Sequence, residues 1–268
     1  MKTKLEERSN NRNKFILFGG GGLIGFLTAT GLIWWLGTWG LIIILLSILW
    51  VTVIENSLVI IKKTIWRLPH AKNYVRIIQV SDFHCNGLAL RNLISKLKSM
   101  KITSHDVIVL TGDTFDGEAR SQKPAQVLLD FIGNLDCRSF IIWGNHETNH
   151  RETLKYARRQ SRLNNIFEAN QRIYFIGNNV FIAGLDYGEK VSKSLVSELD
   201  LSNYNILITH SRDQAVEAAK IGAFRAIICG HEHGGQIRLP LLGAIIGSWW
   251  EPWFPDLKGQ KNQRFLAS

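Results

Sequence analysis

The chain has 268 residues, with 32 lysines and arginines against 22 aspartates and glutamates, a formal net charge of +10. That length holds one soluble domain of about 200 residues plus an appendage, and the basic excess favours anionic partners or a face kept beside a membrane. Cys85, Cys137 and Cys229 form neither a CxxC nor an even disulfide framework, which suits a reducing compartment.

The N-terminus comes first. Lys2, Lys4, Arg8, Arg12 and Lys14 make residues 1–14 a basic tail, and residues 15–54 carry no charge. That stretch is too long for one ordinary membrane span, which needs about 20 residues. Gly37 and Thr38 divide it into 15–36 and 39–54, so the expectation is a transmembrane helical hairpin with Trp34, Trp35 and Trp39 near the far interface. Two spans return the chain to its starting side. With Lys62, Lys63 and Arg67 following, the positive-inside rule places the tail and the domain at 55–268 on the cytoplasmic side of the inner membrane. One long tilted span exporting the domain is the competing topology, because 39–54 is short. A cleavable signal peptide does not fit: the apolar stretch is too long and lacks an A-x-A site.

Beyond the membrane segment, residues 57–66 are rich in Val, Ile and Thr and read as a strand. A buried-strand pattern follows at 75–81, and helical spacing of leucines at 88–100. Asp106–Thr111 reads as a strand, 124–135 as a helix with proline near its first turn, and 139–143 as a strand. Residues 152–162 make a basic polar helix. Strands at 172–176 and 180–184 flank Gly177-Asn178-Asn179, then come a strand at 205–209, a helix at 213–220 and a strand at Ala226–Cys229. Alternation of this kind indicates an α/β domain with helices covering sheet faces. Ligands in such domains collect at the carboxyl ends of the strands.

Polar groups stand at those ends. Asp82 and His84 follow the first strand, Asp113 and Asp116 the second, Asn145, His146 and Glu147 the third, His210 the next, and His231 and His233 the last. Each has an ordinary structural explanation: Asp82 as a helix cap, Asp113 and Asp116 as turn formers, Asn145 in a left-handed position, His210 as a satisfied core histidine. Their recurrence at five successive strand ends points instead to one convergent site. Carboxylate, amide and imidazole together suit borderline divalent ions such as Mn, Fe or Zn.

Asp-x-His, Gly-Asp-x-x-Asp, Gly-Asn-His-Glu, a lone His and Gly-His-x-His, in this order over about residues 76–242, resemble the calcineurin-like metallophosphoesterases. The continuation Gly234-Gly235-Gln236-Ile237-Arg238-Leu239-Pro240 is similar to a membrane-associated branch of bacterial phosphodiesterases that includes UDP-diacylglucosamine pyrophosphatases. The resemblance implies an αββα sandwich and two divalent metal ions. It assigns Asp82, His84 and His233 to one ion, Asn145, His210 and His231 to the other, and Asp113 to both. By the same resemblance His146 is the general acid and Asp116 its orienting partner, with in-line attack on phosphorus by a hydroxide that bridges the ions. Glu147 stays open between a supporting role and a surface charge.

Two departures bear on these expectations. Ser211-Arg212-Asp213 follows the lone histidine where many relatives carry a proline two residues on, and Arg212 reads equally as a phosphate contact or a solvated helix start. The chain ends at Ser268, after the aromatic cluster at 249–254, so the last strands of the second sheet are expected to be missing. The functional expectation is a membrane-anchored phosphodiester or pyrophosphate hydrolase acting on a lipid-linked nucleotide such as UDP-diacylglucosamine. A phosphodiesterase for soluble substrates and a non-catalytic scaffold of the same fold are its alternatives. Nucleic acid is suggested by charge alone; no helix-turn-helix, zinc-finger or RNP pattern supports it.

Overall fold

The computed structural model describes residues 30–31, 34–35, 37–50, 57, 59, 61, 75–117, 119 and 121–231, and the backbone of short strands at 237–239, 243–246 and 264–267. Two compact units divide the chain, residues 1–56 and 57–268. In the first, helix α1 (Thr38–Leu49) has no charged residue and exposes Leu41, Leu45, Leu46 and Leu49. Among the described residues no helix is long and apolar enough to cross a membrane. Much of the stretch 15–54, where the hairpin is expected, lies outside them.

In the second unit, β1 (Arg76–Val80) is followed by α2 (Gly87–Ser99), β2 (Asp106–Thr111), α3 (Lys123–Gly133) and β3 (Arg138–Ile142). The short helix α4 (Asn145–Thr148), α5 (Arg151–Leu163) and the two-residue strand β4 (Phe167–Glu168) come next. β1 to β4 form one parallel sheet in chain order. The chain then crosses to a second sheet through the antiparallel pair β5 (Ile173–Gly177) and β6 (Val180–Leu185). α6 (Lys193–Glu198), β7 (Tyr204–Thr209), α7 (Arg212–Ile221) and β8 (Ala226–Cys229) continue it, β7 and β8 running parallel to β6. β9 (Ile237–Leu239) and β10 (Gly243–Ile246) form a separate antiparallel pair, and β11 (Arg264–Ala267) lies parallel beside β8.

Alternation along the strands builds the layers. Side chains of successive strand residues point to opposite faces. In β2, Val107 and Val109 face a central cluster while Ile108 and Leu110 face an outer one. β8 does the same with Ala226 and Ile228 inward and Ile227 and Cys229 outward. The central cluster therefore joins both sheets, with Phe140 and Ile142 of the first against Ile182, Ile206 and Ile208 of the second. The two outer clusters pack under α2, α3 and α5 on one side and α6 and α7 on the other. This is the αββα order expected. Strands covered on both faces need unbroken apolar runs, and β2 is buried at every residue. Each fully buried Val, Leu or Ile contributes about 1.5–3 kcal/mol.

The covering helices are set by local signals. α2 starts at Asn86, whose side chain accepts from the amides of Leu88 and Ala89, and it buries Ala89, Leu93 and Leu97 at four-residue spacing. α7 opens with a Ser211–Gln214 capping box, buries Ala215, Ala218 and Ala219, and stops at Gly222 in the left-handed region, φ 75°.

Two expectations need correction. The strand expected at 57–66 is absent at the residues described there: Ser57 is helical, and Val59 and Ile61 lie in no strand. The Ser57 carbonyl accepts from Asn92 Nδ2, and Val59 packs on the first outer cluster. The second sheet also does not stop at β8. β11, from the last residues of the chain, adds a strand that the polar sequence before it does not announce.

A bidentate ion pair fixes the first sheet at its amino end. Arg76 and Asp106 are register partners at the starts of β1 and β2, with Nε 2.7 Å from Oδ1 and Nη2 2.6 Å from Oδ2. The Arg76 guanidinium holds the Asp106 carboxyl below the usual range against the opposing effect of burial, helped by the amide and hydroxyl of Thr103. A depressed carboxyl contributes stability above its unfolded pKa and loses it as pH falls through the folded value. Arg76→Gln should therefore cost about 1–2 kcal/mol at pH 7, toward the low end for charged hydrogen bonds because Arg76 is half-exposed. In urea melts the gap from the parent should close only below about pH 4, the unfolded aspartate value. A gap that stays constant down to pH 3 would show that the pair's charge is not what stabilises the sheet.

Candidate metal centre

The carboxyl ends of β1, β2, β3, β7 and β8 meet in one place, tied by backbone hydrogen bonds between the loops that leave them. The Asp82 amide donates to the Gly112 carbonyl, the His84 amide to Asp113, and the Gly230 amide to His210. Five of the residues at these ends stand at positive φ without being glycine: Asp82 (54°), His84 (49°), Cys85 (51°), Asp113 (50°) and His231 (76°). Such positions are costly for L residues and concentrate at functional sites. Two glycines make the crowding feasible. A Cβ on Gly144 would fall 2.1 Å from Asp113 Oδ1, and one on Gly112, at φ 92°, would fall 2.6 Å from His210 Nδ1.

Asp113 is the centre of the arrangement. It is 1% exposed, its Oδ2 lies 3.2 Å from His210 Nε2 and 3.6 Å from His84 Nε2, and its Oδ1 accepts the His146 amide at 2.9 Å. Burial pushes its carboxyl up, but His210, the His146 amide and His84 outweigh burial and bring it down to about 2. Two groups of ligand-capable atoms share it: His84, Asp113 and His146 in one, Asp113, His210 and His231 in the other, each within 4.8 Å.

His210 shows what the site is shaped to hold. Fully buried, its Nδ1 lies 2.8 Å from the Thr111 carbonyl, an acceptor, so that nitrogen carries the proton. The lone pair of Nε2 then faces Asp113 Oδ2 at 3.2 Å, Asn145 Oδ1 at 3.0 Å and His231 Nδ1 at 3.1 Å. The Asp113 and Asn145 oxygens are acceptors, and acceptors that converge on a lone pair need a cation between them, either a proton or a metal. The carboxylate–imidazole set fits a borderline divalent ion.

Of the expected residues, Asp82, His84, Asp113, Asn145, His146, His210 and His231 are brought together. Asp82 enters through its carboxylate, which accepts the His231 amide at 3.0 and 3.1 Å. His233 lies outside the described residues. Asp116 stands where a histidine-orienting carboxylate should, its Oδ1 2.9 Å from His146 Nδ1. Burial lowers the His146 pKa, yet Asp116, Asp113 and Glu147 together raise it more, so the ring is held above its ordinary value. Cys85, although next to His84, is no thiolate: burial pushes its thiol up to about 11 and it lies 2.9 Å from Gln122 Oε1.

The sequence left Glu147 open, and the structure decides it. The side chain is fully buried, and its two oxygens accept the amides of Asp113 (3.0 Å), Phe115 (2.8 Å) and Gly144 (2.9 Å), joining the loops after β2 and β3. Burial and the nearby Asp113 push its carboxyl up to about 7. Asp186 was missed altogether. It follows β6, is 4% exposed, accepts the Trp143 amide at 2.9 Å and is pushed up to about 7 by burial. Its signal was a carboxylate at one more strand end, two residues beyond the strand expected at 180–184. Beside it Tyr187 packs its ring edge-on to His210, centroids 5.9 Å apart, at the rim of the cluster.

Residues 75–235, well over half of the chain, match the sequence profile described as calcineurin-like phosphoesterase. The chain belongs to that family. An uncharacterized metallophosphoesterase of Campylobacter jejuni is 29% identical over 179 residues, 63% of this chain and 47% of the relative. The uncharacterized metallophosphoesterase YkuE of Bacillus subtilis is 27% identical over 188 residues, 67% of this chain and 65% of its own. Phosphodiesterase YaeI of Escherichia coli is 28% identical over 207 residues, 72% and 68% respectively. The chain thus spans about half to two thirds of the length of these relatives.

Glu147→Ala should leave buried amides without acceptors, each worth about 1–3 kcal/mol. The expected loss in a denaturant melt is about 2–4 kcal/mol, with weakened metal uptake because the Asp113 loop is released. A variant as stable as the parent would mean that water or the backbone replaces the carboxylate.

Proposed function

We propose that this phosphoesterase hydrolyses a phosphodiester or pyrophosphate bond with the help of two divalent ions, Mn, Fe or Zn. The observation that carries the reading is the sharing of one buried carboxylate, Asp113, by two groups of ligand-capable side chains. In this reading Asp82, His84 and His233 hold one ion, Asn145, His210 and His231 the other, and Asp113 both. Bound ions supply Lewis acidity toward the phosphoryl oxygens and an activated water at neutral pH.

The chain's own groups do the rest. The backbone turns at Asp82, His84, Asp113 and His231 hold the donors in place before substrate arrives. Asp116 accepts from His146 Nδ1, which orients the ring, and Asp116, Asp113 and Glu147 favour its protonated form against the opposing effect of burial. His146 gives the Nε2 proton to the leaving oxygen as the bond to phosphorus breaks. The relative named a phosphodiesterase agrees with this chemistry.

The experiment pairs metal analysis with hydrolysis of a generic phosphodiester. Asp113→Ala should lose both metal and turnover. His146→Asn should keep metal and slow esters with poor leaving groups by about 10²–10⁴, the usual weight of a general acid. For a nitrophenolate leaving group, which needs no proton, the loss should be smaller. Full metal and activity in Asp113→Ala would sink the assignment, and a parent chain with metal but no turnover would favour a scaffold.

The substrate proposal is finer. We infer a lipid-linked substrate, with UDP-diacylglucosamine as the candidate and the catalytic unit on the cytoplasmic face of the membrane. The uncharged run at 15–54 and the basic residues Lys62, Lys63 and Arg67 support it. A basic residue at an anionic surface adds about 1 kcal/mol of attraction. An enzyme so placed gains concentration and orientation only for a substrate with acyl chains in the bilayer. In detergent micelles kcat/KM for UDP-diacylglucosamine should exceed that for UDP-N-acetylglucosamine, and reporters fused to either end should both read cytoplasm. Equal rates on the two substrates would leave a phosphodiesterase for soluble substrates as the better reading, and a periplasmic C-terminal reporter would exclude the cytosolic one.

A further inference from the structure

Away from the strand ends, α5 carries a second concentration of charge. Lys155, Arg158, Arg159 and Arg162 line a surface cleft of about 370 Å³, with Leu163 at its edge. None of these residues belongs to the metal cluster. Helical geometry explains why they converge: positions 155, 158, 159 and 162 follow the i, i+3, i+4, i+7 spacing of one face.

The acidic groups near the cleft do not satisfy it. Lys155 pairs with Glu152 at 2.9 Å. Arg158 and Arg162 share Glu168, at 3.3 and 3.6 Å, and Arg158 also lies 3.7 Å from Asp186. Those are ion-pair distances without hydrogen bonds, and Arg158 Nε is buried with no hydrogen-bond partner. Arg159 is exposed and has no ion pair among the described residues. A guanidinium offers five N–H donors in a planar fork. Among the described residues, Arg158 and Arg162 meet carboxylates only at ion-pair distance and Arg159 meets none, so their forks keep N–H donors for an outside acceptor.

We propose that this cleft binds a soluble anion carrying two or more linked phosphates. Arginine forks match phosphate oxygens two at a time, which a lysine-rich solvated face does not require. The cations from Lys155 to Arg162 extend over about 10 Å of helix axis, longer than a single phosphate and suited to a chain of them. Leu163, 66% exposed at the end of the row, gives the cleft one apolar edge, where an organic group attached to the phosphates would rest. The proposal is independent of the metal centre.

The test is titration of the full chain in detergent with inorganic tripolyphosphate, in the parent and in Asp113→Ala. Both should bind it. Arg159→Gln combined with Arg162→Gln should weaken binding at least tenfold in both backgrounds, since about 1.4 kcal/mol, within the worth of one charged hydrogen bond, is a factor of ten. Both side chains are exposed, so folding should be kept. Arg159→Lys with Arg162→Lys should recover part of the loss, because charge remains and the fork does not. Unchanged affinity in the glutamine pair overturns the proposal, as does tripolyphosphate binding that vanishes with Asp113 alone. Binding of phosphatidylglycerol micelles through the same arginines, without tripolyphosphate binding, would also overturn it and make the face a lipid contact.

Discussion

A carboxylate 1% exposed, with imidazoles on two sides, persists only if something balances it and something holds it. Balance for Asp113 comes from His210 and His84, which offset burial far enough to bring its carboxyl to about 2. The hold is covalent geometry: β2 is buried along its whole length and ends where the chain turns through Gly112 into a left-handed residue. A strand interlocked with close-packed side chains on both faces cannot slide without opening voids and clashes in both layers. The packing of Val107, Ile108, Val109 and Leu110 thus places Asp113, and the Glu147 carboxylate on its amide holds the turn that follows.

The loops around it follow from that position. Gly144 is small because Asp113 Oδ1 occupies the space a Cβ would need. Glu147 is buried because three amides of the β2 and β3 loops point at one spot, and only an acceptor with two oxygens can serve them. His146, between Asn145 and Glu147, has its amide on Asp113 and its ring on Asp116, so the same short helix orients groups in both directions. These constraints are concentrated in the four residues Asn145–Thr148, which form a single turn of helix.

Sequence reading succeeded where a residue's role was expressed by periodicity or by its place after an apolar run. β2 and β8 were legible because burial on both faces demands continuous Val and Ile, and their ends then located Asp113 and His231. It failed where the role depends on a partner distant in the chain. Nothing local distinguishes Glu147 from a surface glutamate, since its donors include residues 113 and 115. Asp186 depends on Trp143 in the same way. β4 has two residues and is a strand only because β3 is beside it. β11 likewise takes its register from β8 and not from its own composition.

The αββα arrangement also explains why one unit can carry a metal cluster and a cationic cleft. Trp143 links the two regions. Its amide goes to Asp186 Oδ1, its indole Nε1 lies 3.5 Å from Glu168 Oε2, and the next residues are Gly144 and Asn145 of the cluster. Glu168 and Asp186 are also the carboxylates that Arg158 approaches from the cleft. The basic helix is therefore not an ornament on the surface: its arginines offset charge on the carboxylates that hold the third strand end in place. Low-dielectric surroundings strengthen such a chain of interactions at its buried end and leave its exposed end to solvent. Arg158 stands at the boundary, buried enough to matter to Asp186 and open enough to meet an anion from outside, whereas Arg162, three-quarters exposed, faces solvent.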